Sequence, residues 1–171
     1  MLTSLILSAF LTLTAPPATP TVAPSIPDAV FVAEMPKDAK SAAWVKKNAK
    51  QGDTVVFEAK IGGRGEPFIK NRASFMVADR SLKSCNEIEG DTCAKPWDYC
   101  CETPESKKLN MLMVQVVDSN GKLLKCDAKG VHGLEPLALV VIEGVVTATD
   151  DKGNCMIDAK KIWVKPAPKA A

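Results

Sequence analysis

The chain has 171 residues, a quarter of them charged, with 22 Lys and Arg against 20 Asp and Glu and a formal net charge of +2. A balance this even excludes the strong basic footprint of a protein built for nucleic acid or an anionic membrane. Aromatic residues make up 5% of the sequence, too few for an extended base-stacking platform.

In chain order, residues 1–23 read as a signal peptide. Leu2, Leu5, Ile6, Leu7, Phe10, Leu11 and Leu13 form an uncharged apolar run, with the small residues Ala15, Ala18 and Ala23 behind it. The run falls short of the about 20 residues that a membrane-crossing helix needs, so no membrane span is expected. Export to the periplasm or the extracellular space is predicted, with one departure from the pattern: no Lys or Arg precedes the apolar run. Residues 24–35 are predicted to be a linker that continues a Pro-rich stretch, with five prolines between Ala15 and Pro27.

A helix is predicted over 36–51. Asp38 suits its N-cap, Ala42, Val45 and Ala49 recur at helical spacing beside Trp44, and Gly52 follows as a stop. Its other face carries Lys37, Lys40, Lys46, Lys47 and Lys50 and reads as a solvated face.

Five strands follow. Thr54 to Ile61 alternates, with Val55, Phe57, Ala59 and Ile61 on one face. Ala73 to Asp79 places Phe75 and Val77 on one face, and Leu109 to Val117 is apolar on both faces, as a central strand is. Asp118-Ser119-Asn120-Gly121 is a hairpin turn, with Lys122 to Cys126 running back from it. Residues 130–136 read as irregular, with one helical turn. Ala138 to Ala148 has Val140, Ile142, Gly144 and Val146 on one face, and a glycine inside a strand marks a bend or bulge. A turn over Asp150 to Asn154 leads into Cys155 to Val164, and a disordered tail is expected over 165–171. The predicted fold class is all-β with one N-terminal helix: a five-stranded Greek-key barrel over 52–164, with a Cys-rich insertion at 82–108 between strands two and three.

Gly-Asp-Thr-Val-Val-Phe-Glu-Ala-Lys-Ile at 52–61, Phe-Met-Val-Ala-Asp at 75–79, Val-Val-Ile-Glu-Gly-Val-Val at 140–146 and Ile-Asp-Ala-Lys-Lys-Ile at 157–162 resemble OB-fold domains of the anticodon-binding type. The element Cys-Ala-Lys-Pro-Trp-Asp-Tyr-Cys-Cys at 93–101 resembles one carried by uncharacterised exported bacterial proteins with that barrel. The resemblance implies a barrel over 52–164 and no particular activity.

The chemistry-bearing residues cluster around this element. Cys100 and Cys101 are neighbours, so each is expected to bond elsewhere, to Cys85 and Cys93 in one of two arrangements. Cys126 and Cys155 then remain as a third pair. The rival reading is a metal site with the lone His132. Zinc ligand pairs sit about two to four residues apart, whereas the gaps here are seven, six and none, so disulfides are preferred and no metal is predicted. No Cys-x-x-Cys pair is present for redox catalysis.

A second constellation is the loop with Arg64, Phe68, Lys70 and Arg72, which suits an anionic ligand if it is not simply solvated. OB-type barrels bind on strands two and three, between the first–second and fourth–fifth loops. Here those loops are Gly62 to Arg72 and Asp150 to Asn154, and the insertion brings Trp97 and Tyr99 alongside. Trp97 serves either as an exposed anchor or as the insertion's own core. The carboxylates in turns have no His, Ser or Lys partner at a motif spacing, and no phosphate loop or nucleophile elbow occurs. The expectation is therefore an exported, non-enzymatic binding or structural module without a cofactor. Its partner is unassigned, a protein or an anionic ligand, with nucleic-acid binding weak at most. The alternatives are anionic-ligand binding through the 64–72 loop and metal binding by the Cys cluster.

Overall fold

Alternation of apolar and polar residues sets the sheet. The computed structural model describes residues 25–150 and 152–165. Its elements are β1 (Lys40–Ser41), α1 (Ala42–Asn48), β2 (Thr54–Ile61), β3 (Ser74–Ala78), α2 (Pro104–Asn110), β4 (Met111–Gln115), β5 (Leu139–Thr149) and β6 (Cys155–Val164), with short 3-10 turns between them. Five of these strands close on themselves in the order β2-β3-β4-β6-β5, and β5 returns to β2. Among the described residues the protein is thus mainly β, with a closed five-stranded barrel and two helices, compatible with an OB-like barrel. Neighbours run antiparallel except β4 and β6, which are parallel. Strand β2 pairs with β5 along Thr54 to Lys60, and its other edge is shared by β1 and β3.

The inward positions form one core. Phe57, Ile61, Phe75, Val77, Val114, Ile142, Ile157 and Ile162 are fully buried. Ala42 and Val45 of α1 close the end where β4 and β6 begin, and Leu134 is buried near the opposite end, where Leu137 donates its N–H to Ile61 at 2.8 Å. Closing so small a barrel requires a sharp bend in β5. The register against β6 shifts between Glu143 and Gly144, and a Cβ on Gly144 would stand 2.6 Å from the Asp158 carbonyl oxygen. The glycine is there because the strands approach too closely for any side chain.

Several expectations are corrected. The N-terminal helix covers Ala42–Asn48 rather than 36–51, and its cap is Ser41, whose hydroxyl accepts the Trp44 N–H at 3.1 Å. Asp38 lies outside it in a left-handed conformation, φ 59°. The basic face is not wholly solvated: Lys46 turns inward, its ammonium donating to the carbonyls of Met111 and Gly153. Burial lowers its pKa, partly offset by Cys155 and Asp150. The linker over 24–35 is in part packed, since Ile26 is 3% exposed within the core and Phe31 bridges Ile162. Those apolar side chains have barrel surface to bury against. The start of the third strand is instead α2, where Thr103 caps and Pro104 opens the first turn. The signal peptide expected over 1–23 and the tail expected beyond Lys165 lie outside the described residues. Among the described residues no helix is long and apolar enough to cross a membrane.

Gly144→Ala is expected to destabilise the barrel by about 1–3 kcal/mol through overpacking. The urea-unfolding midpoint would show it, and an unchanged midpoint would mean that the two strands separate freely at this point.

Candidate functional site

The segment joining β3 to β4 is seated on the barrel by three contacts. The first is Lys60, on β2 and 6% exposed. Its ammonium donates to the Ser84 hydroxyl at 3.1 Å and pairs with the Glu87 carboxylate. Ser84 and Glu87 form a capping box at the start of a 3-10 turn (Cys85–Glu87), with the Ser84 N–H donating to Glu87 at 2.9 Å. Burial works to raise the Glu87 pKa, but the hydrogen bonds from Lys60 and Ser84 outweigh it and leave the group below its ordinary value. The second contact is Tyr99, fully buried against Ala78, Leu82 and Met111. The third is Trp97, whose indole N–H donates to the Gly65 carbonyl at 2.6 Å and whose own carbonyl accepts the Gly63 N–H at 3.1 Å. A Cβ on Gly62 would meet that carbonyl at 2.8 Å and the Tyr99 ring at 2.9 Å, so the close approach depends on the glycine.

The seated segment walls a cavity of about 490 Å³ on the outside of the barrel, across β3, β4 and β6. Its floor is methionine. Met76, Met113 and Met156 sit on three adjacent strands in direct register, Met76 opposite Met113 and Met113 opposite Met156, with Met111 beside them. Its rim is cationic: Arg64 from the β2–β3 loop, Lys107 and Lys108 from α2, Lys152 from the β5–β6 turn, and Lys46 from α1. No carboxylate lines it among the described residues. Arg64 and Lys152 are exposed, while Lys107 donates to the Tyr99 carbonyl at 3.2 Å. Thioethers on unbranched stems adapt to irregular apolar shapes. The arrangement therefore offers an apolar, deformable bed under a ring of positive charge, within the size range of small-ligand pockets.

Of the residues singled out in the sequence, Arg64 lines this cavity, and so does the turn with Lys152 and Asn154. Phe68 does not: it is 7% exposed and packs in the core, its ring centre 5.7 Å from that of Phe75 and tilted against it. Lys70 and Arg72 are exposed on the loop whose Asn71 N–H donates to Asp127, and they do not line the cavity. Trp97 and Tyr99 hold the segment in place, and neither lines the cavity. Sequence reasoning passed over the methionines. Their signal was present: Met76, Met113 and Met156 occupy strand positions of the face opposite the core residues.

The six cysteines are all free. The Cys85 and Cys100 sulfurs stand 3.3 Å apart, and those of Cys100 and Cys101 stand 3.9 Å apart. The expected Cys126–Cys155 pair is not brought together. Cys155 opens β6 beside the start of β4, whereas Cys126 follows the segment paired with Val116 and Val117 past the end of β4. Elimination on the sequence joined two cysteines that the parallel β4–β6 pairing puts at opposite ends of the barrel. Burial pushes the Cys85 thiol up to about 12, with smaller effects from Cys100 and Cys93. His132 is remote from the cluster, stacked 4.2 Å from Phe31 and hydrogen-bonded to Asp28 at 2.9 Å. Comparison with protein-family models, with curated proteins and with solved structures finds no match.

Glu87→Gln should destabilise the protein by about 1–2 kcal/mol, the charge partner of a buried ammonium being lost but Glu87 itself partly screened by solvent. A carboxyl held below its ordinary value stabilises the fold above that range and loses the contribution as pH falls through the lowered value. Urea unfolding should thus show a wider gap between wild type and Glu87→Gln at about pH 7 than at about pH 3. An equal gap at both values would assign the effect to something other than the Lys60 pair.

Proposed function

We propose that the protein is a non-enzymatic binding module built on an OB-type Greek-key barrel, with residues 79–110 as its insertion. The ligand is anionic and carries an apolar part. The observation that carries this reading is the composition of the cavity: among the described residues, five cations and no carboxylate around a floor of four methionines. Support for the OB type comes from the strand order and from the one parallel pair in the barrel, β4 with β6. Support for the site comes from its position, since OB-type barrels take ligands on this face, between these two loops. Charge at the rim would hold the anionic group while the thioethers pack against the remainder. A basic 64–72 loop acting alone is the weaker reading, because Phe68 is in the core and Lys70 and Arg72 lie elsewhere. Export, resting on the 1–23 sequence, completes the proposal.

Dodecyl phosphate below its micelle concentration is a suitable probe. It should bind, and an uncharged twelve-carbon detergent or inorganic phosphate should bind at least about tenfold more weakly. The Arg64→Glu, Lys152→Glu double variant should weaken binding of dodecyl phosphate by about tenfold or more while leaving the melting temperature unchanged, because both side chains are exposed. Equal binding by wild type and the double variant in isothermal titration would overturn the proposal.

A further inference from the structure

We propose that Cys85, Cys93 and Cys100 are ligands of one zinc ion, with the fourth ligand supplied by the Asp91–Cys101 pair beside Cys100. The three sulfurs of Cys85, Cys93 and Cys100 all lie within 4.8 Å of one another, and so do the ligand atoms of Asp91, Cys100 and Cys101. Tetrahedral thiolates bound at about 2.3 Å from zinc stand about 3.8 Å apart. The separations of 3.3 and 3.9 Å bracket that value. A pattern of two disulfides would require Cys101 to turn toward Cys93 or Cys85. Its sulfur lies instead 3.9 Å from Cys100 and 3.9 Å from the Asp91 carboxylate.

The backbone holds these groups in place from two passages of the chain. Cys85 donates its N–H to the Asp98 carbonyl at 2.8 Å, and Asn86 donates to the Pro96 carbonyl at 3.1 Å, so the start of the 3-10 turn lies against the residues leading into Cys100. Asp91 accepts the Cys93 N–H at 2.6 Å, which orients the carboxylate toward the cluster. Lys60, through Ser84 and Glu87, fixes the turn from the barrel side.

The chemistry selects the metal. Three sulfur donors with a fourth sulfur or a carboxylate are too soft for calcium or magnesium and suit tetrahedral zinc. Four protein ligands leave no open position, which makes the site structural. The segment needs such a tie, because its buried apolar residues are few: Leu82, Cys85 and Tyr99. Small units of this kind depend on cross-links or metals for their order. Helix α2 leaves this segment at Pro104 to wall the cavity, so the ion would hold the wall, but the site stands whether or not the cavity takes an anion.

The test uses the full chain, reduced and titrated with Co²⁺ and then Zn²⁺. One equivalent of Co²⁺ should give the intense visible bands of a tetrahedral cobalt thiolate, and Zn²⁺ should abolish them. Cys93→Ser should lose the bands and Cys126→Ser should keep them. Of Asp91→Asn and Cys101→Ser, one should weaken them, and full signal in both would overturn the four-ligand site. In the wild type, Zn²⁺ should protect Cys85, Cys93 and Cys100 from alkylation and leave Cys126 as reactive as before, a readout that does not require any variant to fold. Absence of one-equivalent binding would overturn the proposal. So would protein from the native host that lacks metal and shows a Cys85–Cys100 bond in an unreduced peptide map.

Discussion

The buried ammonium of Lys60 governs how the rest of the molecule is arranged. Period-two alternation puts this side chain on the outer face of β2, where a lysine ordinarily meets water. Here it is covered to 6% exposure by the segment between β3 and β4. An ammonium out of water and without a partner costs several kcal/mol. The covering segment therefore has to bring an acceptor and a carboxylate to one point. The Ser84–Glu87 capping box does this with a single 3-10 turn, and the position of that turn sets the path of the remaining segment. Cys85 is carried to its place beside Cys100, and Tyr99 descends onto the barrel where Gly62 offers no side chain. The chain next leaves along α2, which stands over β4 as the wall of the cavity.

How much of this was legible in the sequence depends on which forces are local. β2 and β6 have the bounds that alternation alone suggests, because each turns one face into the core along most of its length. The glycine inside β5 announced its bulge for the same local reason: only a strand forced to bend tolerates that residue. The start of β4 was misjudged, since Leu109 looks like the first residue of an apolar run. The stop signal there is Thr103-Pro104, a helix start, which outranks a single leucine at the helix end. Leu109 is 64% exposed, as a residue outside the core can be.

Other features were hidden because they depend on chain topology. Phe68 sits among charges in the sequence, yet pairs with Phe75 across a bridge that no local pattern specifies. Lys60 reads as an ordinary outward strand residue, and its burial becomes visible only once the insertion is folded over it. The in-register row of Met76, Met113 and Met156 joins three strands, two of them parallel neighbours far apart in sequence. Methionine in a strand pattern reads as generic filler until the register is known.

The same distinction resolves an apparent conflict over charge. A formal net charge of +2 excludes a strong field over the whole surface. Electrostatics in salt, however, acts over a Debye length of about 8–10 Å, so a ligand senses neighbours and not totals. The fold sorts the balanced composition accordingly. Glu58 is matched by Arg80, Glu143 by Lys161 and Glu66 by Lys129, all away from the cavity. The cavity itself gathers, among the described residues, five cations from four separate elements and no carboxylate. One of them, Lys46, is held by two backbone carbonyls, which carry no formal charge. Near-neutral composition and a locally cationic groove are compatible, because closing the barrel brings together lysines that the sequence keeps about a hundred residues apart.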